Sequence, residues 1–178
     1  MTGVQTCALP ISEIGEQFRV CESYRALGNI YRSKGNIEKA IYHLEVAIGI
    51  ASAFNWHDAL FWIHYELAVL YRGEGRFDDA HAHIGRAKSH TADSAYLLGR
   101  AMEEQARIWY DQHKLEEARS AALHAVDVYG KIGAVKDVEE CRSLLRKIDN
   151  NSVASGQPAF DCELVKISLC PARTDSSL

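Results

Sequence analysis

Residues Phe61–His90 read FWIHYELAVLYRGEGRFDDAHAHIGRAKSH, and shifted copies of this stretch lie on either side of it. Its midpoint, GRFDDA at 75–80, matches GNIEKA at 35–40 and HKLEEA at 113–118. The alanines that close these motifs, Ala40, Ala80 and Ala118, are 40 and then 38 residues apart, and each follows a small residue (Gly28, Ala68, Ala106) by 12 positions. Repetition at this period marks stacked supersecondary units, none of which buries its apolar face alone. Each copy predicts two amphipathic helices joined by a short turn.

Working outward, Phe18, Cys21, Tyr24, Leu27, Gly28 and Tyr31 recur at helical spacing and predict a helix over 16–33. Lys34, Gly35 and Asn36 end it, with Asn36 the expected N-cap of a helix over 37–53. The second pair is expected over 56–72, capped by Asn55, and 77–90. The third is expected over 94–112, with cap candidates among Thr91, Ala92 and Asp93, and over 115–131. A last helix over 134–149 carries one apolar stripe (Val135, Val138, Cys141, Leu144, Leu145, Ile148) and charged residues elsewhere, as a helix closing a stack requires. Acidic residues in the first turns, such as Asp78 with Asp79 and Glu116 with Glu117, oppose the positive end of the helix dipole. Adjacent residues diverge by about 100° on a helix, so these doublets are not general acid/base pairs.

Composition agrees. Prolines occur only at 10, 158 and 171, which leaves 11–157 free of the strongest helix breaker. A net charge of −4 gives no bulk electrostatic footprint for nucleic acid, and no apolar run is long enough to span a membrane. The five cysteines form no CxxC pair and leave an odd count, as expected of reduced thiols in a cytoplasmic protein. Among the histidines, His81 and His83 point apart on one helix, and His57 and His64 lie about 10 Å apart along another. No HExxH motif, nucleophile elbow or glycine-rich phosphate loop occurs. The expectation is a protein without enzymatic activity, cofactor or metal.

The ends differ from the middle. Residues 1–12, MTGVQTCALPIS, resemble an in-frame translation of a sequencing adapter, and are expected to be a non-native leader. The sequence then belongs to the tail of a longer protein. Residues 13–150 are expected to form the repeat domain, and 151–178, which open as NNSVASGQPAF, a flexible tail.

Aligned from Cys21, Phe61 and Gly99, the three units resemble the tetratricopeptide repeat. Tyr24, Leu27, Gly28, Tyr31, Ala40, Leu44 and Ala47 stand in the signature places of the first. His64, Leu67, Ala68, Tyr71, Ala80, Ile84 and Ala87 follow in the second, and Met102, Gln105, Ala106, Trp109, Ala118, Ala122 and Ala125 in the third. Departures are the longer period, His64 in an aromatic place, Gln105, and no proline closing a unit. The resemblance implies an all-α, right-handed α-solenoid of antiparallel helix pairs, with three units and a C-terminal capping helix. Tyr31, Tyr71 and Trp109 are then expected to fill the gaps between units. The wording of 77–90, 96–134 and 139–148 further resembles the repeat arm of fungal signalling NTPases of the NB-ARC and NACHT type, although no nucleotide-binding loop is present.

In this architecture the first helix of each unit lines a concave surface. The residues expected there are Arg25, Asn29 and Arg32 from the first unit, Trp62, Tyr65, Glu66 and Arg72 from the second, and Arg100, Glu103, Arg107 and Tyr110 from the third. The alternative is that these arginines only solvate helix faces and pair with Glu66, Glu103 and Glu104. Guanidinium groups bind carboxylates in a fork and aromatic rings supply contact area, which suits a protein or peptide partner of acidic or mixed charge. The same arginines admit a nucleic-acid alternative, which the interleaved acids disfavour. One subgroup of the family clamps the terminal carboxylate of chaperone tails. Arg25, Asn29 and Arg100 match that clamp in type, but Glu66 and Glu104 stand where it needs Asn and a basic residue. Reversing Arg32 and Arg72 to Glu is expected to abolish partner capture without altering the melting temperature, with Arg86 or Lys88 as outward-facing controls.

Overall fold

A computed structural model describes residues 11–154. The backbone forms α1 (Ile11–Ser33), α2 (Ile37–Ala53), α3 (His57–Gly73), α4 (Phe77–Ser89), α5 (Ala95–Asp111), α6 (Leu115–Lys131) and α7 (Val135–Ala154). Helices α1 and α2, α3 and α4, and α5 and α6 pack as antiparallel pairs, and α7 packs on α6. Contacts from α1 to α3, α3 to α5 and α5 to α7 set these four side by side as one layer, with α2, α4 and α6 behind them. The chain is an all-α solenoid, as the sequence predicts.

Five turns share one chemistry. Each places a residue in the left-handed region, namely Gly35, Asn55, Gly75, His113 and Gly133. The next residue then donates its backbone N–H five positions back, as in Asn36 to Tyr31 at 2.9 Å and Arg76 to Tyr71 at 2.9 Å. This satisfies carbonyls that a helix end leaves orphaned. Asn55 is therefore the left-handed turn residue and not the cap of α3, because an Asn tolerates both conformations and the turn claims it. Asn36 does cap α2, accepting from the Lys39 N–H. Ser94, which follows the stretch that held the two cap candidates, caps α5. Thr91 instead donates to the Lys88 carbonyl at the end of α4.

The marker residues show why small side chains recur. Gly28, Ala40, Ala68, Ala80, Ala106 and Ala118 are all buried. A Cβ on Gly28 would lie 2.6 Å from the Leu44 Cγ and 3.3 Å from the Ala40 carbonyl oxygen. The backbones of α1 and α2 approach closely there, leaving no room for a side chain on Gly28. Around these contacts Leu44, Phe61, Ile63, Leu67, Ile84 and Ile108 exclude water, each worth about 1.5–3 kcal/mol of burial.

The aromatic positions behave differently from expectation. Trp109 does bridge units, its ring 3.9 Å from that of His81 on α4. Tyr31 and Tyr71 stack instead on His43 and His83, the second-helix histidines of their own units. Leu27 is exposed because α1 has nothing packed on its far side among the described residues. Helix α1 begins two residues inside the expected leader, and α7 runs four past the expected domain end. Residues 1–10 of the leader and 155–178 of the tail, with Cys7, Cys162 and Cys170, lie outside the described residues. Cys21 and Cys141 are buried free thiols. Desolvation raises both, Cys141 to about 12, which makes them inert packing groups.

Candidate partner-binding groove

Helical period decides which side chains the α1–α3–α5–α7 layer presents. Positions flanking the buried stripe fall on its open face, where adjoining cavities of 580, 330 and 490 Å³ run from one end of the layer to the other. The first two share Trp62, and the second and third share Arg72 and Arg107. Ten of the eleven residues expected on this face line the groove, Glu66 among them in the central cavity, and Glu103 is buried beneath it because Arg100, Arg107 and Tyr129 hold its carboxylate inward. Arg25 lies in the first cavity, Tyr110 in the third, and Asn29, Arg32, Trp62, Tyr65, Arg72, Arg100 and Arg107 in the central one.

Four of these arginines are held by Glu66, Glu103 and Glu104, the acids that the alternative sequence reading named as their partners. Arg25 gives Nη1 to Glu66 at 2.6 Å and Nη2 to Glu22 at 2.7 Å. Arg72 spans Glu104 at 2.6 Å and Asp111 at 2.7 Å. Arg100 donates to the Tyr65 hydroxyl at 3.0 Å, lies over the Tyr65 ring, and meets Glu103 at 3.4 Å. Arg107 also reaches Glu103, which accepts in addition from the buried Tyr129 hydroxyl at 3.2 Å. Glu103 and Glu104 are each only 1% exposed. Their charges are tolerable at that depth because guanidinium groups face them.

The electrostatics follow from burial. Desolvation pushes the Glu104 carboxyl above its ordinary range while Arg72 pulls it back. Glu66 is raised in the same way, opposed by the Asn29 amide and by Arg25. The Tyr65 hydroxyl is pushed up to about 12, chiefly by desolvation. Of the four arginines in the central cavity, Arg72, Arg100 and Arg107 are engaged with carboxylates. Arg32 is exposed and acts on Glu66 only through space. The basic surface anticipated from the arginines is thus a charge-paired one.

Two walls of the groove escaped the sequence reading. Glu140, Ser143, Leu144 and Lys147 bring α7, expected only as a cap, into the third cavity. Phe18, Trp56 and Asp58 line the first, where the Phe18 and Trp56 rings meet edge to face at 5.1 Å. The stripe of α7 and the aromatic cluster near 54–62 were visible signals, but which side of the stack they met depends on the turns.

Between them, α3 and α4 hold four histidines in a row that starts at the wall of the first cavity with His57. His57 and His90 face each other with Nδ1 atoms 3.2 Å apart, and His64 and His83 with theirs 3.1 Å apart. The His64 and His90 rings stack between the pairs. The contacts cross between helices, whereas the sequence pairs weighed above lie along one helix. Burial lowers His64 to about 4, aided by His83, His90 and Arg86. Among the described residues no group of three or more His, Cys, Asp or Glu side chains is placed to hold a metal ion. No helix there is long and apolar enough to cross a membrane.

Neither the protein-family models nor the curated proteins compared with the chain give a match. Among solved structures, the N-terminal domain of stress-induced protein-1 from C. elegans superposes with a TM-score of 0.54 at 19% identity, over 71% of this chain and 97% of that one. That domain is built of tetratricopeptide-like helical repeats, and the likeness is one of fold.

Proposed function

We propose that this chain is a non-enzymatic interaction scaffold that holds an extended peptide segment of a protein partner along the α1–α3–α5–α7 groove. The observation that carries it is the convergence of ten first-helix side chains from three successive units on one continuous groove. Aromatic faces and anchored guanidinium groups are what peptide interfaces concentrate. The fold it shares with the stress-induced protein-1 domain supports the same class, since repeats of this kind generally mediate protein–protein interaction. The paired arginines favour a peptide of mixed charge over a strongly acidic one. They also weigh against nucleic acid, because each carboxylate partner would repel a phosphate.

Selecting peptides from a displayed random library on the purified protein tests the proposal. Binders should be lost on Trp62→Ala or Arg32→Glu and retained on Arg86→Glu, which lies on α4. Lys88 does not serve as a control, because its ammonium bonds Gln105 of the next unit. Equal loss from the groove and control variants would overturn the assignment, and micromolar, steeply salt-dependent binding of RNA would favour the nucleic-acid alternative. The resemblance to NB-ARC and NACHT repeat arms supports a wider setting, in which the scaffold is the sensor arm of a signalling NTPase. A nucleotide-binding loop in the upstream reading frame is the observation that tests it.

A further inference from the structure

We propose that the central cavity of the groove recognises an amide, the carboxamide of an Asn or Gln side chain in the bound peptide, and discriminates against a carboxylate. This rests on the peptide-binding role proposed above and specifies its chemistry.

Five buried side-chain polar atoms among the described residues have no hydrogen-bond partner, and three of them belong to residues lining this one cavity of 330 Å³: Glu66 Oε2, Glu104 Oε2 and Arg100 Nε. Each is the atom left over when its group has met the protein. Glu104 spends Oε1 on Arg72, Glu66 spends Oε1 on Arg25, and Arg100 uses both terminal nitrogens on Glu103 and Tyr65. The Asn29 side chain contributes a hydrogen bond that lowers the Glu66 carboxyl, yet Oε2 keeps no partner at hydrogen-bonding distance and angle. Buried polar atoms are rarely left unpaired, and although each of these three has almost no accessible surface, a small shift of the side chains that line the cavity would offer them to a ligand there.

The complement is two acceptors and one donor. A carboxamide offers two N–H donors and one carbonyl acceptor on a small planar group, and is neutral. A carboxylate offers only acceptors and would meet two carboxylate oxygens. An ammonium or guanidinium offers only donors, leaves Arg100 Nε unmatched, and would enter beside four guanidinium groups. The flat faces of Trp62 and Tyr65 in the same cavity suit a planar amide. The proposal therefore predicts a binding preference opposite to that of a site built for terminal carboxylates.

The experiment uses the full chain and a positional-scanning library of acetylated, C-terminally amidated heptapeptides, read by fluorescence anisotropy. Asn or Gln should be enriched at one position, and replacing it by the near-isosteric Asp or Glu in the best peptide should weaken binding at least tenfold. Glu66→Gln and Glu104→Gln should each narrow that ratio, because the new side-chain amide can donate to a ligand carboxylate. A variant that only misfolded would lose both peptides alike, and two variants guard against one failing to fold. Enrichment of Asp, Glu or a free C-terminal carboxylate, with binding still lost on Trp62→Ala, overturns the amide assignment and leaves the groove standing. Peptide binding indifferent to Trp62→Ala, or no binding at all, removes the groove proposal itself.

Discussion

Acidification should weaken this fold through His64, by an amount the geometry sets. The ring is buried between α3 and α4, its Nδ1 is 3.1 Å from His83 Nδ1, and His83, His90 and Arg86 would all oppose a positive charge on it. These effects lower it from 6.5 to about 4 in the folded protein. Above pH 6.5 both folded and unfolded chains carry it neutral, and stability is unaffected. As pH falls through 6.5 the unfolded chain takes up a proton that the folded chain refuses, so stability is lost progressively until the folded ring also protonates near pH 4. At about 1.4 kcal/mol per pH unit, the full loss is on the order of 3 kcal/mol. Because His83 can share the proton across the short contact, the loss reports the pair and not one ring. Glu66 and Glu104, raised by burial, act in the opposite sense and gain stability as pH falls through their folded values. A comparison cancels them. His64→Tyr places at this position the residue that the first unit carries as Tyr24, beside His43. Urea unfolding of both proteins at intervals from pH 7.5 to pH 4 should show the parent losing about 3 kcal/mol more than the variant. Parallel acid slopes would refute the assignment of His64 as a buried neutral ring.

Three further outcomes follow from packing and pairing. Gly99→Ala puts a Cβ 2.6 Å from the Tyr129 ring, which is fully buried and tethered to Glu103, and should cost about 1–3 kcal/mol in chemical denaturation despite alanine's better helix propensity. Ala80→Leu at the buried contact of α4 with α3 should cost about 1–3 kcal/mol, and a neutral result would place the close approach elsewhere. Arg72→Glu strands Glu104 at depth and should lower stability by about 3–5 kcal/mol, whereas Arg32→Glu on the exposed rim should change it by less than about 0.5 kcal/mol. Equal melting temperatures for these two arginine variants, the outcome anticipated from sequence alone, would show that the Arg72–Glu104 pair does not form.

The fold was legible because its strongest constraint is local. Two helices that approach closely need a small residue on each, and the 12-residue spacing from Gly28 to Ala40, Ala68 to Ala80 and Ala106 to Ala118 records that need in every unit. Helix ends were less legible, because the same residue types serve opposite purposes there. Asn36 caps α2, but Asn55 turns left-handed, and only the backbone it inherits tells them apart. The tyrosines at 31 and 71 were assigned to the gaps between units because a histidine three places after the marker alanine carries no general signal. His43 and His83 claim those rings.

The groove divides along the same line. Which residues face it follows from helical period, and so ten of the eleven expected there do line it, Glu103 being drawn inward by its partners. Whether an arginine is free or paired depends on contacts between units, and Arg25 to Glu66 and Arg72 to Glu104 span 41 and 32 residues. Yet the repeat did hold a signal for these pairs. Arg32 and Arg72 occupy equivalent places 40 residues apart, as do Glu66 and Glu104, 38 apart. An arginine near the end of one first helix and a glutamate near the middle of the next is therefore a recurring step. The second step closes fully as Arg72 on Glu104. In the first, Arg25 has taken Glu66, so Arg32 is left at the rim, acting on the same carboxylate through space. The central-cavity guanidinium without a carboxylate bond is therefore that of Arg32, on the first unit. Repeat arithmetic gives the pairs that can form, and competition for one carboxylate decides which arginine remains available to a partner.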